Sequence, residues 1–117
     1  MDLDLFVQYC EGLKGTTLET PFGDNILVCK VMGKMYSLAD VDNFESINVK
    51  CDPEKALELR EQYHAVQPGY HMSKKHWNTI IMDNSIPNSQ IKQWILDSYN
   101  LVVSKLTKKD KAELENL

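Results

Sequence analysis

The sequence lacks the features that would place a protein in or across a membrane. No apolar run approaches the ~20 residues that a helix needs to cross a bilayer. The first residues, MDLDLFVQYCEG, carry acids where a signal peptide has a basic region. These absences predict a cytoplasmic protein without a membrane role. The 117 residues fit one domain, 1–117, and their 43% hydrophobic and 26% charged content is typical of a folded chain.

Cysteine is scarce and poorly spaced for metal or redox chemistry. Cys10, Cys29 and Cys51 form no CxxC pair, so we expect three reduced thiols that pack as small apolar side chains. The sequence contains no HExxH, no GxSxG and no glycine-rich phosphate loop. No acid lies between Glu61 and Asp83 to orient a histidine there. We therefore expect no enzymatic activity, no bound metal and no cofactor.

Charge is distributed unevenly along the chain. The formal net charge is −4, from 13 basic and 17 acidic residues, which alone argues against a nucleic-acid-binding protein. Residues 1–61 contribute −6 (six bases, twelve acids), residues 62–109 contribute +4 (six lysines, two acids) and the remainder contributes −2. Because salt screens exposed charges beyond about 10 Å, the second half can present a local basic surface. The alternative is that solvated lysines are scattered there.

The first half of the chain predicts one helix followed by an antiparallel meander. Apolar residues recur at helical spacing over residues 2–13. Residues 26–32 and 35–39 are typical of strands, joined by a two-residue turn at Gly33-Lys34. Residues 46–51 alternate apolar and polar side chains, which predicts a third strand.

The middle of the chain predicts a helix and then a hairpin. Asp52 suits the capping position of a helix and Pro53 suits its first turn, so the helix is expected to begin there. Pro68-Gly69 is expected to end it. Residues 69–72 and 77–83 have strand character, and the four residues between them are predicted to form the turn.

The last part of the chain predicts a long helix and a charged end. Pro87 and Asn88 open the helix. Its buried stripe consists of Ile91, Ile95, Ser98, Val102 and Leu106. Residues 107–117 are charged and are expected to fray. The predicted order is α-β-β-β-α-β-β-α, an α+β fold with three helices packed against a five-stranded antiparallel sheet.

The densest run of functional side chains is PGYHMSKKHWNTI, residues 68–80. A basic hairpin of this kind has the shape of a wing that lies along a phosphate backbone, with two lysines and a histidine at its tip. Tyr70 and Trp77 flank the tip, and both are predicted to be partly buried. Gly69 and Asn78 are expected to serve backbone and hydrogen-bonding roles.

Four segments resemble, in the same order, motifs of the MmcQ/YjbR family of small bacterial proteins: TPFGDNILVCKVMGKMYSL, INVKCDPEKALELREQY, PGYHMSKKHWNTI and SYNLVVSKL. The resemblance runs from about Leu5 to Lys108. It implies a double-wing fold related in shape to secretion chaperones, and it implies DNA binding, the label commonly given to the family. Lys75 stands where the family usually has arginine, which keeps the charge but loses the bidentate phosphate grip.

Two groups of residues follow from the motif and the resemblance. The predicted nucleic-acid-binding residues are Tyr70, His71, Lys74, Lys75, His76, Lys105, Lys108 and Lys109. The residues predicted to maintain the structure of the motif are Pro68, Gly69, Trp77, Asn78 and Thr79. Binding to DNA is expected to be weak, electrostatic and nearly independent of base sequence.

A protein-interaction or dimerisation module of secretion-chaperone-like shape, with no nucleic-acid role, is the alternative. An open antiparallel sheet leaves a face or an edge that another protein or a second copy can use. A basic face formed by residues 73–76 and the end of the last helix would favour nucleic acid. A large apolar patch on the open sheet face would favour a protein partner.

Overall fold

The computed structural model describes residues 1–70 and 72–117 of the chain. In chain order, the helices and strands of this part are α1 (Leu3–Glu11), β1 (Thr16–Glu19), β2 (Ile26–Val31), β3 (Lys34–Asp40), β4 (Ser46–Lys50), α2 (Pro53–Gln62), β5 (Val66–Pro68), β6 (Trp77–Ile81), α3 (Asn88–Ser104) and α4 (Lys108–Glu115). The predicted α+β class is confirmed, with one more strand and one more helix than expected. None of these helices is long and apolar enough to cross a membrane.

The second helix begins where the sequence predicts and ends earlier. The Asp52 side chain accepts a hydrogen bond from the backbone N–H of Lys55 at 3.4 Å, and Pro53 is the first helical residue. This contact satisfies an N–H group that has no partner within the first turn. The helix ends at Gln62 because Tyr63 adopts an extended backbone, so the predicted stop at Pro68-Gly69 is wrong.

The strands form one antiparallel sheet in the order β1-β2-β3-β4-β6-β5. The prediction of five strands is wrong because it missed β1, a four-residue edge strand whose only apolar side chain is Leu18. The strand predicted over residues 69–72 is also misplaced, since β5 ends at Pro68, which pairs with Asn78. Proline is tolerated there because β5 is an edge strand.

The turn between β2 and β3 lies one residue earlier than predicted. Met32 and Gly33 occupy its two central positions, with φ angles of 49° and 78°, and Val31 pairs with Lys34 across it. Two positive φ angles are typical of the tight turn whose twist matches that of the flanking strands. The predicted Gly33-Lys34 turn would have placed only one residue in this left-handed region.

A β-bulge at Tyr36 directs this side chain into the core. The register between β2 and β3 shifts between Cys29 and Lys30, which leaves Tyr36 as an extra residue. The Tyr36 ring is fully buried and lies edge-on to Tyr99 of α3, with ring centroids 5.3 Å apart. Leu38, two residues later, packs on the opposite face of the sheet because the bulge has changed the alternation.

Helices cover one face of the sheet and leave the other open. The long helix α3 packs across β2, β3 and β4, α2 packs against β5 and β6, and α1 packs against β1. The largest fully buried side chains of this core are Tyr36, Phe6, Ile47, Ile80 and Ile95. The other face, named the open face below, has a smaller buried cluster formed by Val28, Leu38 and Trp77.

Residues 107–117 contain a fourth helix instead of the expected frayed end. Thr107 caps α4, since its hydroxyl accepts a hydrogen bond from the backbone N–H of Asp110 at 3.1 Å. Leu114 is buried and anchors the helix against the start of β1. Gly15 permits this contact: its φ is +75°, and a Cβ there would lie 2.5 Å from Cδ1 of Leu114.

Candidate functional site

The described residues between Pro68 and Trp77, named the motif loop, fold back on the sheet. The N–H of Gly69 donates to the carbonyl of Trp77 at 2.9 Å, and the N–H of Trp77 donates to the carbonyl of Ser73 at 2.9 Å. A Cβ on Gly69 would lie 2.8 Å from both Cβ and O of Trp77, so only glycine fits. Residues 73–76 lie in the predicted turn, within a hairpin formed by β5 and β6. The first strand of this hairpin is Val66–Pro68, so the prediction that placed it at residues 69–72 is wrong for Gly69, Tyr70 and Met72.

Arg60, the only arginine of the chain, fixes the motif loop to α2. Its Nε donates to Oδ1 of Asn78 at 2.7 Å, and its guanidinium also donates to the carbonyls of Trp77 and Lys74. Asn78 is buried, and its amide donates in turn to the carbonyl of Ala56 at 3.3 Å. The predicted hydrogen-bonding role of Asn78 therefore agrees with the structure, whereas sequence reasoning gave Arg60 no role.

Thr79 links the motif loop to the open face. Its hydroxyl oxygen accepts a hydrogen bond from the backbone N–H of Tyr70 at 2.9 Å and donates to Oδ1 of Asn48 at 2.6 Å. The Tyr70 backbone is thereby positioned, although 69% of the residue is exposed. The prediction of a partly buried Tyr70 is wrong, whereas Trp77 is buried, with 7% exposed.

Five lysines from separate elements lie at one end of the sheet, which we name the basic end. Its members are Lys34, Lys50, Lys74, Lys75 and Lys105. Three of them line one cleft of ≈ 470 Å³ beside Trp77: Lys34 at the start of β3, Lys50 at the end of β4 and Lys105 at the end of α3. The other two, Lys74 and Lys75, belong to the motif loop. This loop is attached to the end of β4, because the N–H of Cys51 donates to the carbonyl of His76 at 2.8 Å.

The charges of the basic end are not neutralised by ion pairs within the described residues. The ion pairs of this part of the chain involve Lys30, Lys55 and His64 instead. The Lys74 ammonium group already makes one hydrogen bond, since its Nζ donates to the carbonyl of Gly69 at 3.1 Å. The adjacent acid Asp52 directs its carboxylate to the first turn of α2.

The other predicted binding residues are distributed around this end or away from it. His76 is exposed in the turn beside Lys75, and Lys108 and Lys109 are exposed in the first turn of α4. Tyr70 lies on the open face, away from the lysine cleft. His71 lies outside the described residues.

A groove of ≈ 590 Å³ crosses the open face near the opposite end of the strands. We name it the open-face groove. Its apolar lining includes Phe22, Ile26, Leu38, Tyr70 and Met72. Asp40 and Glu45 line it too, so this end of the sheet is acidic. The sequence contained no local signal for this groove, because its lining comes from the β1–β2 loop, three strands and the motif loop.

Two of the three thiols, those of Cys29 and Cys51, have a raised pKa. A hydrogen bond with Cys10 and burial raise the pKa of the Cys29 thiol, and burial raises the pKa of the half-buried Cys51 thiol. A raised pKa keeps a thiol protonated and unreactive at neutral pH. Among the described residues, no group of three or more histidine, cysteine, aspartate or glutamate side chains is arranged to hold a metal ion.

Fold and surfaces together define a small α+β protein with a sheet that is covered on one face, basic at one end and acidic at the other. The family model YjbR matches residues 11–101. The chain belongs to the YjbR family, which confirms the resemblance seen in its motifs.

Two relatives from Escherichia coli show how far the similarity extends. YbdF of strain O157:H7 is 40% identical over 91 residues, which cover 77% of this chain and 75% of the relative. YjbR of strain K12 is 30% identical over 118 residues, which cover 100% of both chains. Both relatives are named as uncharacterized proteins, so the similarity indicates a family and does not indicate an activity.

Solved structures share the fold. The crystal structure of Deinococcus radiodurans protein DR2400, with family-model domain DUF419, matches with a TM-score of 0.90 and 35% identity, covering 97% of this chain and 88% of that one. A Pseudomonas syringae protein matches with a TM-score of 0.73 and 24% identity, covering 86% of this chain and 98% of that one. The second likeness concerns the fold alone.

Proposed function

We propose that this chain is a non-enzymatic protein that binds the phosphate backbone of nucleic acid through its basic end. The observation that carries the proposal is the convergence of Lys34 of β3, Lys50 of β4 and Lys105 at the end of α3 on one cleft at one end of the sheet. Attraction to phosphate is the main source of non-specific nucleic-acid binding. A local cluster of this kind acts despite the net charge of −4, because salt limits the reach of the distant acids.

Little base discrimination is expected from this surface. A lysine ammonium is a point charge that binds phosphate, whereas the commonest specific contact to guanine is the bidentate fork of arginine. Arg60 is engaged with Asn78 and two backbone carbonyls. Trp77 is buried, so its ring is not offered to an unpaired base.

The proposed surface extends beyond the tip of the β5–β6 hairpin. The motif loop of this hairpin is attached to β6 and α2 by hydrogen bonds. The lysines of the cleft come from elements of the rigid sheet and its long helix. The proposed binding surface is therefore a concave end of the domain lined by three lysines, with Lys74 and Lys75 in the motif loop at the same end of the sheet.

The salt dependence of binding tests the proposal. If each of the five lysines contacts one phosphate of duplex DNA, log affinity against log salt has a slope of about −4.5. The double variant Lys34→Ala/Lys105→Ala should flatten this slope by about two, equally for duplexes of different sequence. Both side chains are exposed, so the variant should fold. Fluorescence anisotropy with labelled duplexes between 50 and 200 mM NaCl measures the slope, by the counterion-release relation.

A matched control removes the same charge elsewhere. Lys92→Ala/Lys111→Ala takes two lysines from α3 and α4 that do not line the basic cleft. This control should keep most of the slope. If both double variants bind like the parent with the same slope, the proposed backbone-binding function is excluded.

A further inference from the structure

We propose that the open-face groove binds a segment of a partner protein in which apolar residues are flanked by lysine or arginine. This inference is independent of nucleic-acid binding, because it concerns the opposite end of the sheet. The groove volume of ≈ 590 Å³ lies within the range of functional binding sites. The case for this occupant depends on the exposed rings, the preformed walls and the charge of the groove.

Two exposed aromatic residues line the groove. Phe22, in the loop between β1 and β2, is 62% exposed, and Tyr70, in the motif loop, is 69% exposed. Leu38 of β3 also lines the groove and is only 6% exposed. Exposed apolar surface that is contiguous with a buried apolar floor marks an interaction site more often than scattered apolar residues do.

One wall of the groove is preformed. The Tyr70 backbone is held by the Thr79 hydroxyl, which is itself held by Asn48 in the middle of the sheet. Gly69 is locked against Trp77 by its close backbone approach. A wall that is already ordered does not lose conformational freedom when a ligand binds, which favours affinity.

Charge selects the partner. Asp40 and Glu45 line the groove, and Asp24 and Asp42 lie in the loops beside it. Residues 20–25 and 40–46 contain no lysine or arginine. Basic groups that flank an apolar segment are attracted to such a site, whereas phosphate groups are repelled. This complementarity favours a basic polypeptide over nucleic acid as the occupant.

Three fluorescein-labelled peptides test the groove. The probe is Lys-Lys-Leu-Ser-Leu-Ser-Leu-Lys-Lys. One comparison peptide has glutamate in place of every lysine, and the other has serine in place of every leucine. We expect saturable binding of the probe to the full chain in fluorescence anisotropy, and binding of each comparison peptide weaker by about tenfold or more.

Groove variants and matched controls locate the binding. Phe22→Ser and Glu45→Lys should each weaken binding of the probe by about tenfold. The first variant removes apolar contact with the leucines, and the second removes attraction to the lysines. The controls are Leu57→Ser, at a leucine of α2 that is 58% exposed, and Glu61→Lys, at an exposed acid of the same helix. Both controls should change the affinity less than twofold, since α2 packs on the covered face. Circular dichroism verifies that all four variants are folded.

Several outcomes would overturn the proposal. They are no binding of the probe, equal binding of the three peptides, and equal losses in groove and control variants. If the chain does not bind the probe but forms a concentration-dependent dimer, and Phe22→Ser abolishes this dimer, the groove would instead be assigned to a second copy of the chain. Analytical ultracentrifugation of the parent and of Phe22→Ser detects that case.

Discussion

The two ends of the sheet use the same strands to build opposite surfaces. At the basic end, long lysine side chains surround a cleft beside the buried Trp77. At the acidic end, short carboxylates stand beside exposed aromatic rings. The comparison teaches that the net charge of −4 describes neither surface. Each end has its own electrostatic character, because a strand only five or six residues long still separates its ends by more than a Debye length of about 10 Å.

The comparison also separates charge from apolar exposure. The ring nearest to the lysines is buried, so the basic end offers mainly charge. The rings nearest to the carboxylates are exposed, so the acidic end offers charge together with apolar area. Phosphate binding needs positive charge, as at the basic end. An apolar peptide segment flanked by basic residues needs negative charge together with apolar area, as at the acidic end.

The largest expected effect comes from Trp77, which lines the lysine cleft and packs in the same cluster as Leu38 of the open-face groove. Its ring packs with Val28 and Leu38 on the open face and borders the lysine cleft. Trp77→Ala should lower the free energy of unfolding by about 3–5 kcal/mol, because it leaves a cavity in a buried cluster. Urea denaturation measures this loss. Leu57→Ala, at an exposed leucine of α2, is the control and should cost less than about 0.5 kcal/mol. If Trp77→Ala lowers the free energy of unfolding as little as Leu57→Ala does, the Trp77 ring does not stabilise the part of the fold between the two regions.

A smaller effect should distinguish the two ends. Thr79→Val keeps the shape of the side chain but removes the hydroxyl that joins Tyr70 to Asn48. We expect a loss of about 1–2 kcal/mol in the free energy of unfolding, since two polar groups lose a partner. Binding of the lysine-flanked peptide should weaken, whereas the salt slope of DNA binding should stay unchanged. Equal damage to both activities would break the independence of the two ends.

The smallest expected effect is a pH dependence near the acidic end. Hydrogen bonds from the Ser85 hydroxyl and backbone N–H, with a smaller contribution from His64, hold the pKa of the Asp83 carboxyl below its usual range. A lowered pKa contributes stability that is present above the ordinary carboxyl pKa of about 3.9 and is lost as the pH falls towards the lowered value.

Because the Asp83 side chain is exposed to solvent, this contribution should be small. Denaturation of the parent and of Asp83→Asn between pH 6 and pH 3 measures it. The difference between the two proteins should shrink as the pH falls. A difference that grows on acidification would contradict the assignment of the lowered pKa.

Much of the fold was predictable because its signals are local. Asp52 and Pro53 start a helix through contacts within one turn, and the apolar alternation of residues 46–51 identified β4. The stripe from Ile91 to Leu106 correctly identified the buried side of α3 and the residues after it. The missed strand β1 has a single apolar side chain. The missed helix α4 has one buried side chain, Leu114, which packs against Gly15 at a distance of many residues in the sequence.

Less of the candidate site was predictable because its residues are distant in sequence. The motif identified Lys74 and Lys75, and the turn of the first hairpin identified Lys34 as another base. Nothing local indicated that Lys50 would complete the same cleft, or that Arg60 would be used inside the motif loop. These placements depend on strand order and register.

The sequence by itself determined the family, the α+β class, the starts of α2 and α3, and the presence of a conspicuous basic motif. Such features depend on capping, periodicity and residue order, which act within a few residues of the chain. Only the tertiary structure decided which lysines share a surface, which rings stay exposed and which acids stand beside them. The reason is physical. The register between β4 and β6 and the bulge at Tyr36 set the directions of the neighbouring side chains, and no short window of sequence contains both strands of either pair.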